Sequence, residues 1–90
     1  MPSVSFSNHA RTRLEERGID PDLVAAIVLR PTFKGDAGSN GLWAAGMVIW
    51  KGRRSWLTAI YATAGEDLAV LTTYMGPPSR IRTVSGISHP

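Results

Sequence analysis

The chain lacks cysteine, and its two histidines, His9 and His89, lie near opposite ends of the sequence. A chain without cysteine has no disulfide framework, no thiolate zinc site and no cysteine nucleophile. Two histidines this far apart also argue against a metal cluster. We therefore expect the protein to use no metal and no cofactor.

Long apolar segments are also missing. The longest apolar run, residues 42–50, falls well short of the roughly twenty residues that a membrane helix needs. The first residues contain neither the cationic stretch nor the apolar core of a secretory signal. We expect a cytoplasmic protein that does not cross a membrane.

The chain is short, with 90 residues of which 43% are hydrophobic. This length allows one domain with one modest hydrophobic core, and it excludes a multilayer enzyme with a cofactor cleft. The apolar fraction is close to that of ordinary globular domains, so we expect the chain to fold without disulfides or metals.

The net charge of +3 is unevenly distributed. Arginines and carboxylates balance within residues 1–30, so the whole excess of positive charge follows residue 30. All cations except Lys34 and Lys51 are arginine, whose forked guanidinium group suits phosphate. This pattern favours an anionic partner, although an arginine-rich composition also results from GC-rich coding.

Two short helices are predicted in the first thirty residues. Ser7 suits the N-cap of the first helix, and Gly18 suits the left-handed residue that ends it. Asp20 and Pro21 suit the N-cap and first position of a second helix over about 21–30. Both helices therefore have start signals of their own.

Three segments rich in β-forming residues follow, at about 42–50, 55–62 and 68–74. The segments between them are short enough for hairpins. Ser3–Phe6 and Thr32–Lys34 are further candidates for short strands.

This order predicts an α+β fold in which an antiparallel sheet of three to four strands follows two N-terminal helices. We expect one domain over residues 1–76. Residues 77–90, which lack a periodic apolar face, are predicted to form a flexible basic tail.

The first helix carries a charged face. His9, Arg13, Glu16 and Arg17 share one side at 100° per residue. An imidazole can transfer a proton near neutral pH, and two guanidinium groups can bind a phosphate and stabilise its developing charge. The alternative is an ordinary solvated helix face with Glu/Arg pairs.

Alternation along the last strand predicts that Leu68, Val70, Thr72 and Tyr74 share one face of the sheet. The hydroxyl groups of Thr72 and Tyr74 would bind phosphate or donate a proton. Equally, these residues suit a strand through their β-propensity alone.

The three tryptophans are at Trp43, Trp50 and Trp56, all within the predicted strands. Such side chains stack on nucleic-acid bases or anchor a protein interface. They are also common in hydrophobic cores, and the sequence leaves both interpretations open.

Cations cluster at one predicted hairpin tip and in the tail. Lys51, Arg53 and Arg54 occupy the tip, and Arg80 and Arg82 belong to the tail. We interpret these five side chains as phosphate contacts of a nucleic-acid interface. A soluble turn that discourages edge-to-edge pairing is the alternative for the tip.

Two segments resemble the DUF4258 family, which is grouped with the RelE/ParE-like toxins and the wider barnase–colicin–RelE nuclease fold. The helix motif is Ser7-x-His9-Ala10-x-x-Arg13-x-x-Glu16-Arg17-Gly18-Ile19. The strand motifs are Gly52-Arg53-Arg54 and Val70-Leu71-Thr72-Thr73-Tyr74. The resemblance spans about residues 3–76.

The resemblance implies a RelE-like fold, in which two N-terminal helices pack on a curved antiparallel sheet. It also implies a toxin that cleaves RNA without a metal and that pairs with a cognate antitoxin. His9 would then be the proton-transfer group, Arg13 and Arg17 would bind or stabilise phosphate, and Thr72 and Tyr74 would assist from the sheet. RNA, free or on the ribosome, would be the substrate.

The leading hypothesis is therefore a RelE-like, metal-independent endoribonuclease that cleaves through attack by a 2′-hydroxyl. A second hypothesis is a non-catalytic interaction module, such as a phage or mobile-element protein that binds and inhibits a host protein or nucleic-acid complex. A third is a nucleic-acid binder without cleavage.

Overall fold

The computed structural model describes residues 2–80, which form two helices and a five-stranded sheet. In chain order the elements are β1 (Val4–Phe6), α1 (Asn8–Arg17), α2 (Pro21–Leu29), β2 (Phe33–Asp36), β3 (Leu42–Trp50), β4 (Arg53–Ala64) and β5 (Asp67–Met75). Short 3-10 turns lie at Gly38–Asn40 and Pro78–Arg80. The α+β class predicted from the sequence is confirmed.

The sheet has the strand order β1-β5-β4-β3-β2. It is larger than the three to four strands expected, because both short candidate strands join it, one at each edge. It is also mixed rather than purely antiparallel, since β1 pairs with β5 in parallel while the other neighbours are antiparallel. A parallel neighbour follows from the α-helical crossover that separates β1 from the rest of the sheet in the chain.

The helix ends are built as the sequence predicts. The Ser7 hydroxyl accepts a hydrogen bond from the amide of Ala10 at 3.0 Å, which caps α1. Gly18 adopts φ 65°, and the amide of Ile19 donates to the carbonyl of Leu14. This is the bond pattern of a Schellman ending, in which a left-handed residue satisfies the last carbonyls of the helix.

The second helix starts one residue after its cap. The Asp20 carboxylate accepts from the amide of Asp22 at 2.9 Å, and Pro21 occupies the first position. Proline fits there because the first amides of a helix have no intrahelical acceptor.

The sheet has two different faces, which we call the helix face and the outer face. The helix face packs on α1 and α2 to form the core, whose buried members are Ala10, Leu14, Ile19, Val24, Ile27, Val28, Ala44, Leu57, Ala59, Tyr61 and Val70. Packing at Gly46 is close, since a Cβ there would lie 2.5 Å from the Cδ1 of Ile27. Alternate residues of β3 and β4 point to the outer face.

A β-bulge changes the faces of β5. Tyr61 of β4 pairs with Val70, whereas Ile60 pairs with Thr72, so Leu71 is an extra residue in β5. The prediction that Leu68, Val70, Thr72 and Tyr74 share one face is therefore wrong. Leu68 and Val70 pack in the core, and Thr72 and Tyr74 lie on the outer face.

The chain crosses the outer face after β5. The Thr58 hydroxyl, on a fully buried side chain, donates to the carbonyl of Gly76 at 2.8 Å, and the Tyr74 hydroxyl donates to the carbonyl of Pro77 at 3.0 Å. The following turn, Pro78–Arg80, contacts β3. The beginning of the predicted tail thus packs on the domain, and residues 81–90 lie outside the described part of the chain.

Candidate functional site

The charged face of α1 is present in the structure. His9 is exposed at the start of the helix, and Arg13 and Arg17 follow at intervals of one turn. Arg13 forms an ion pair with Glu16 at 3.2 Å, with 41% of the arginine side chain exposed. Such an exposed pair adds little stability, but it orients the guanidinium group toward one side of the helix.

Thr72 and Tyr74 do not join this face. They pair with Ile60 and Thr58 on the outer face of the sheet, whereas α1 packs on the helix face. The backbone of β5 therefore separates their side chains from those of α1. The sequence suggested one site, but α1 lies on one side of the sheet and the side chains of Thr72 and Tyr74 lie on the other.

The exposed edge of β5 connects the two regions. β1 pairs with Leu68–Val70 alone, so β5 has no strand neighbour on this side beyond Val70 within residues 2–80. The amide and hydroxyl of Ser7 donate to the carbonyls of Val70 and Leu71, both at 2.9 Å. His9 follows Ser7 by two residues, so the start of α1 lies at this edge.

The outer face carries an apolar patch, which we define as Phe33, Met47, Ile49 and Trp56. Phe33 is 54% exposed and Ile49 is 63% exposed, and the rings of Phe33 and Trp56 lie 5.7 Å apart. Exposure of several large apolar side chains next to one another is typical of a binding surface. Alternation along β3 places Met47 and Ile49 on one face, whereas no local pattern in the sequence brings Phe33 next to Trp56.

The three tryptophans divide between the faces. Trp43 and Trp56 lie on the outer face, where the ring of Trp43 covers Gly35. Trp50 lies on the helix face, and its buried Nε1 has no hydrogen-bond partner among the described residues. The Nζ of Lys51 lies 4.6 Å from the centre of the Trp50 ring.

The predicted cationic hairpin tip exists. Lys51 and Gly52 have φ values of 53° and 78°, as a two-residue type I′ turn requires. Arg54 pairs with Ile49 on the outer face, and Arg53 pairs with Trp50 on the helix face. Residues 42–64 contain no acidic residue, and the three cations form no ion pair within residues 2–80.

The tail cations are described only in part. Arg80 ends the last 3-10 turn, and its side chain lies outside what the structure describes. Arg82 lies entirely outside the described residues.

Across residues 2–80, no three His, Asp or Glu side chains come close enough together to hold a metal ion. In the same part of the chain, neither helix has the length and apolar character needed to cross a membrane. No family model, curated protein or solved structure matches this chain.

Proposed function

We propose that the protein is a metal-independent endoribonuclease of the RelE-like toxin type, with a RelE-like fold. The observation that carries the proposal is the charged face of α1, which presents the exposed imidazole of His9 and the half-buried Arg13 and Arg17 within three turns of helix. These groups can move a proton and stabilise a phosphorane-like charge without a metal.

In the proposed reaction, His9 accepts the proton of a ribose 2′-hydroxyl. The 2′-oxygen attacks the adjacent phosphorus, the bond to the 5′-oxygen breaks, and the departing oxygen takes a proton from solvent. Arg13 and Arg17 bind the phosphate oxygens, whose negative charge increases in the transition state. The products are a 2′,3′-cyclic phosphate and a free 5′-hydroxyl.

The outer face supports binding of single-stranded RNA. Bases stack on exposed aromatic rings regardless of sequence, and the patch offers Phe33 and Trp56 for this purpose. A strand that leaves the patch across the exposed edge of β5 passes Thr72 and Tyr74 before it reaches His9. In this arrangement Thr72 and Tyr74 bind RNA next to the cleavage point.

The proposal is tested by incubating purified protein with RNA in EDTA. We expect shorter RNAs that carry 2′,3′-cyclic phosphate and 5′-hydroxyl ends. RNA that stays intact at micromolar protein, or cleavage that disappears with EDTA, would contradict it. Protein carrying His9→Ala and purified in the same way controls for contaminating nucleases.

RNA binding is expected to depend on salt through the hairpin tip. Each phosphate contact contributes about 0.7 to the slope of log K against log salt for a single strand. The double variant Arg53→Gln/Arg54→Gln, made in the His9→Ala background, should lower this slope by about 1.4. Arg30→Gln, which removes an exposed cation at the end of α2, is the matched control. An unchanged slope in the double variant would exclude these phosphate contacts.

The second candidate is a non-catalytic module that binds and inhibits a host protein, and the apolar patch favours it. Ile49→Lys should then abolish recovery of a stoichiometric protein from host lysate. Leu29→Lys, which adds the same charge at an exposed position of α2, should not. Under the nuclease proposal Ile49→Lys still cleaves RNA, because the bases stack on the rings of Phe33 and Trp56 and an added cation does not repel phosphate. The two functions therefore predict different results for the same variant.

A further inference from the structure

A cavity of about 570 Å³ opens on the helix side of the domain, away from the charged face of α1. Its lining residues are Phe6, Arg11, Leu14, Glu15, Gly18, Ile19 and Pro21. They come from β1, from α1 and from the connection to α2. The volume lies in the range of sites for small molecules, roughly 300–1,000 Å³.

The floor of the cavity is apolar. Leu14 and Ile19 are 5% and 3% exposed and belong to the core, and Phe6 packs against them. Nothing in the described structure lies within 4 Å of a Cβ built on Gly18, so the cavity is open at the end of α1. Of these three floor residues, the half-buried Phe6 therefore presents apolar surface to solvent, and Leu14 and Ile19 contribute little accessible area.

The rim carries one cation and one anion. Arg11 and Glu15 are both exposed and one helical turn apart, and they form no ion pair with each other. An arginine four residues before a glutamate is the less favourable order for pairing along a helix. The Nε of Arg11 donates to the carbonyl of Phe6 at 3.4 Å, which turns the guanidinium group toward the cavity.

We propose that this cavity binds an apolar α-amino acid in its zwitterionic form. The side chain of the ligand packs on Phe6, Leu14 and Ile19. The α-carboxylate accepts hydrogen bonds from both terminal guanidinium nitrogens of Arg11, which have no partner within residues 2–80. The α-ammonium group lies beside the carboxylate of Glu15.

The complementarity of charge selects this class of ligand. A simple carboxylate would satisfy Arg11 and be repelled by Glu15, and a simple amine would do the reverse. A zwitterion with adjacent opposite charges satisfies both groups and adds no net charge to the rim. This site is separate from the proposed nuclease surface, because neither His9 nor the outer face lines it.

The test titrates the full chain with L-phenylalanine while the amide spectrum is recorded by NMR. We expect shifts at Gly18, Ile19 and Leu14 that saturate with ligand. The compounds 3-phenylpropionate and 2-phenylethylamine, which lack the ammonium and the carboxylate respectively, should bind about tenfold more weakly. Equal binding of the three compounds, or shifts confined to the outer face, would overturn the proposal.

Two variants test which charged group of the ligand each rim residue binds. Arg11→Gln should weaken binding of L-phenylalanine about tenfold and should not weaken binding of 2-phenylethylamine, which Arg11 repels. Glu15→Gln should weaken binding of L-phenylalanine and should not weaken binding of 3-phenylpropionate. Arg30→Gln and Glu16→Gln, which change the same charges outside the cavity, are the controls and should bind as the wild type does. Variants that bind L-phenylalanine as tightly as the wild type would refute the site.

Discussion

Insertion of one alanine between Thr72 and Thr73 should unfold the domain or lower its free energy of unfolding by about 3 kcal/mol or more. Side chains alternate between the faces of a sheet, so one more extra residue turns the rest of β5 over relative to β4. Thr73 and Met75, which now lie on the helix face opposite Ala59 and Leu57, would leave it. Tyr74 would enter the helix face in their place.

Deletion of Leu71 is the matched control, because it removes the extra residue itself, whose side chain is 38% exposed. Val70 and Thr72 would then follow one another opposite Tyr61 and Ile60, so every other side chain of β5 keeps its face. We expect this deletion to cost about 1 kcal/mol or less. Urea unfolding followed by tryptophan fluorescence measures both variants. If the insertion is no more destabilising than the deletion, the number of residues in β5 does not determine which side chains face the helices.

Replacement of His9 by alanine should reduce RNA cleavage about a hundredfold to ten-thousandfold, the usual contribution of a general acid or base. The His9 side chain is exposed, so its loss creates no cavity in the core. The rate of appearance of 2′,3′-cyclic phosphate ends measures the effect. Added imidazole should restore part of the rate, because it can accept the proton from solution.

Two controls separate this role from a structural one. His89→Ala removes the other histidine of the chain and should cleave at the wild-type rate. His9→Ala should also keep the wild-type free energy of unfolding. A His9→Ala protein that cleaves normally would remove the imidazole from the proposed mechanism and leave the arginines as RNA contacts.

The helices could be predicted because their signals are local. Ser7, Gly18, Asp20 and Pro21 act within one turn of their own positions, and each has the predicted conformation or hydrogen bond. The long strands were also located closely, since their β-forming residues are continuous. These features can be predicted because each depends only on residues that are close to it in the sequence.

The edges of the sheet depend on distant partners instead. β1 has three residues and gains its hydrogen bonds from Leu68–Val70, more than sixty positions away in the chain. β2 likewise depends on β3, and through that pairing Phe33 comes next to Trp56. No local pattern at Phe33 shows this neighbour, so the apolar patch could be found only in part.

The candidate site failed to assemble as expected for a similar reason. Period-two alternation assumes a regular strand, and the extra residue at Leu71 breaks it without a glycine or proline to mark the position. The bulge is defined by the pairing of β4 with β5, and the Ser7 hydroxyl, far away in the chain, donates to the carbonyl of Leu71. Spacing along one strand does not contain that information.

Because the tryptophans lie on different faces of the sheet, their fluorescence can show where a molecule binds. Trp43 and Trp56 lie on the outer face, and Trp50 is packed on the other. A strand of RNA or a protein seated on the apolar patch should change the emission of the first two and shield them from acrylamide. An amino acid in the cavity beside Arg11 should leave all three unchanged, since none of them lines it. Single-tryptophan variants would thus distinguish the two surfaces without any label.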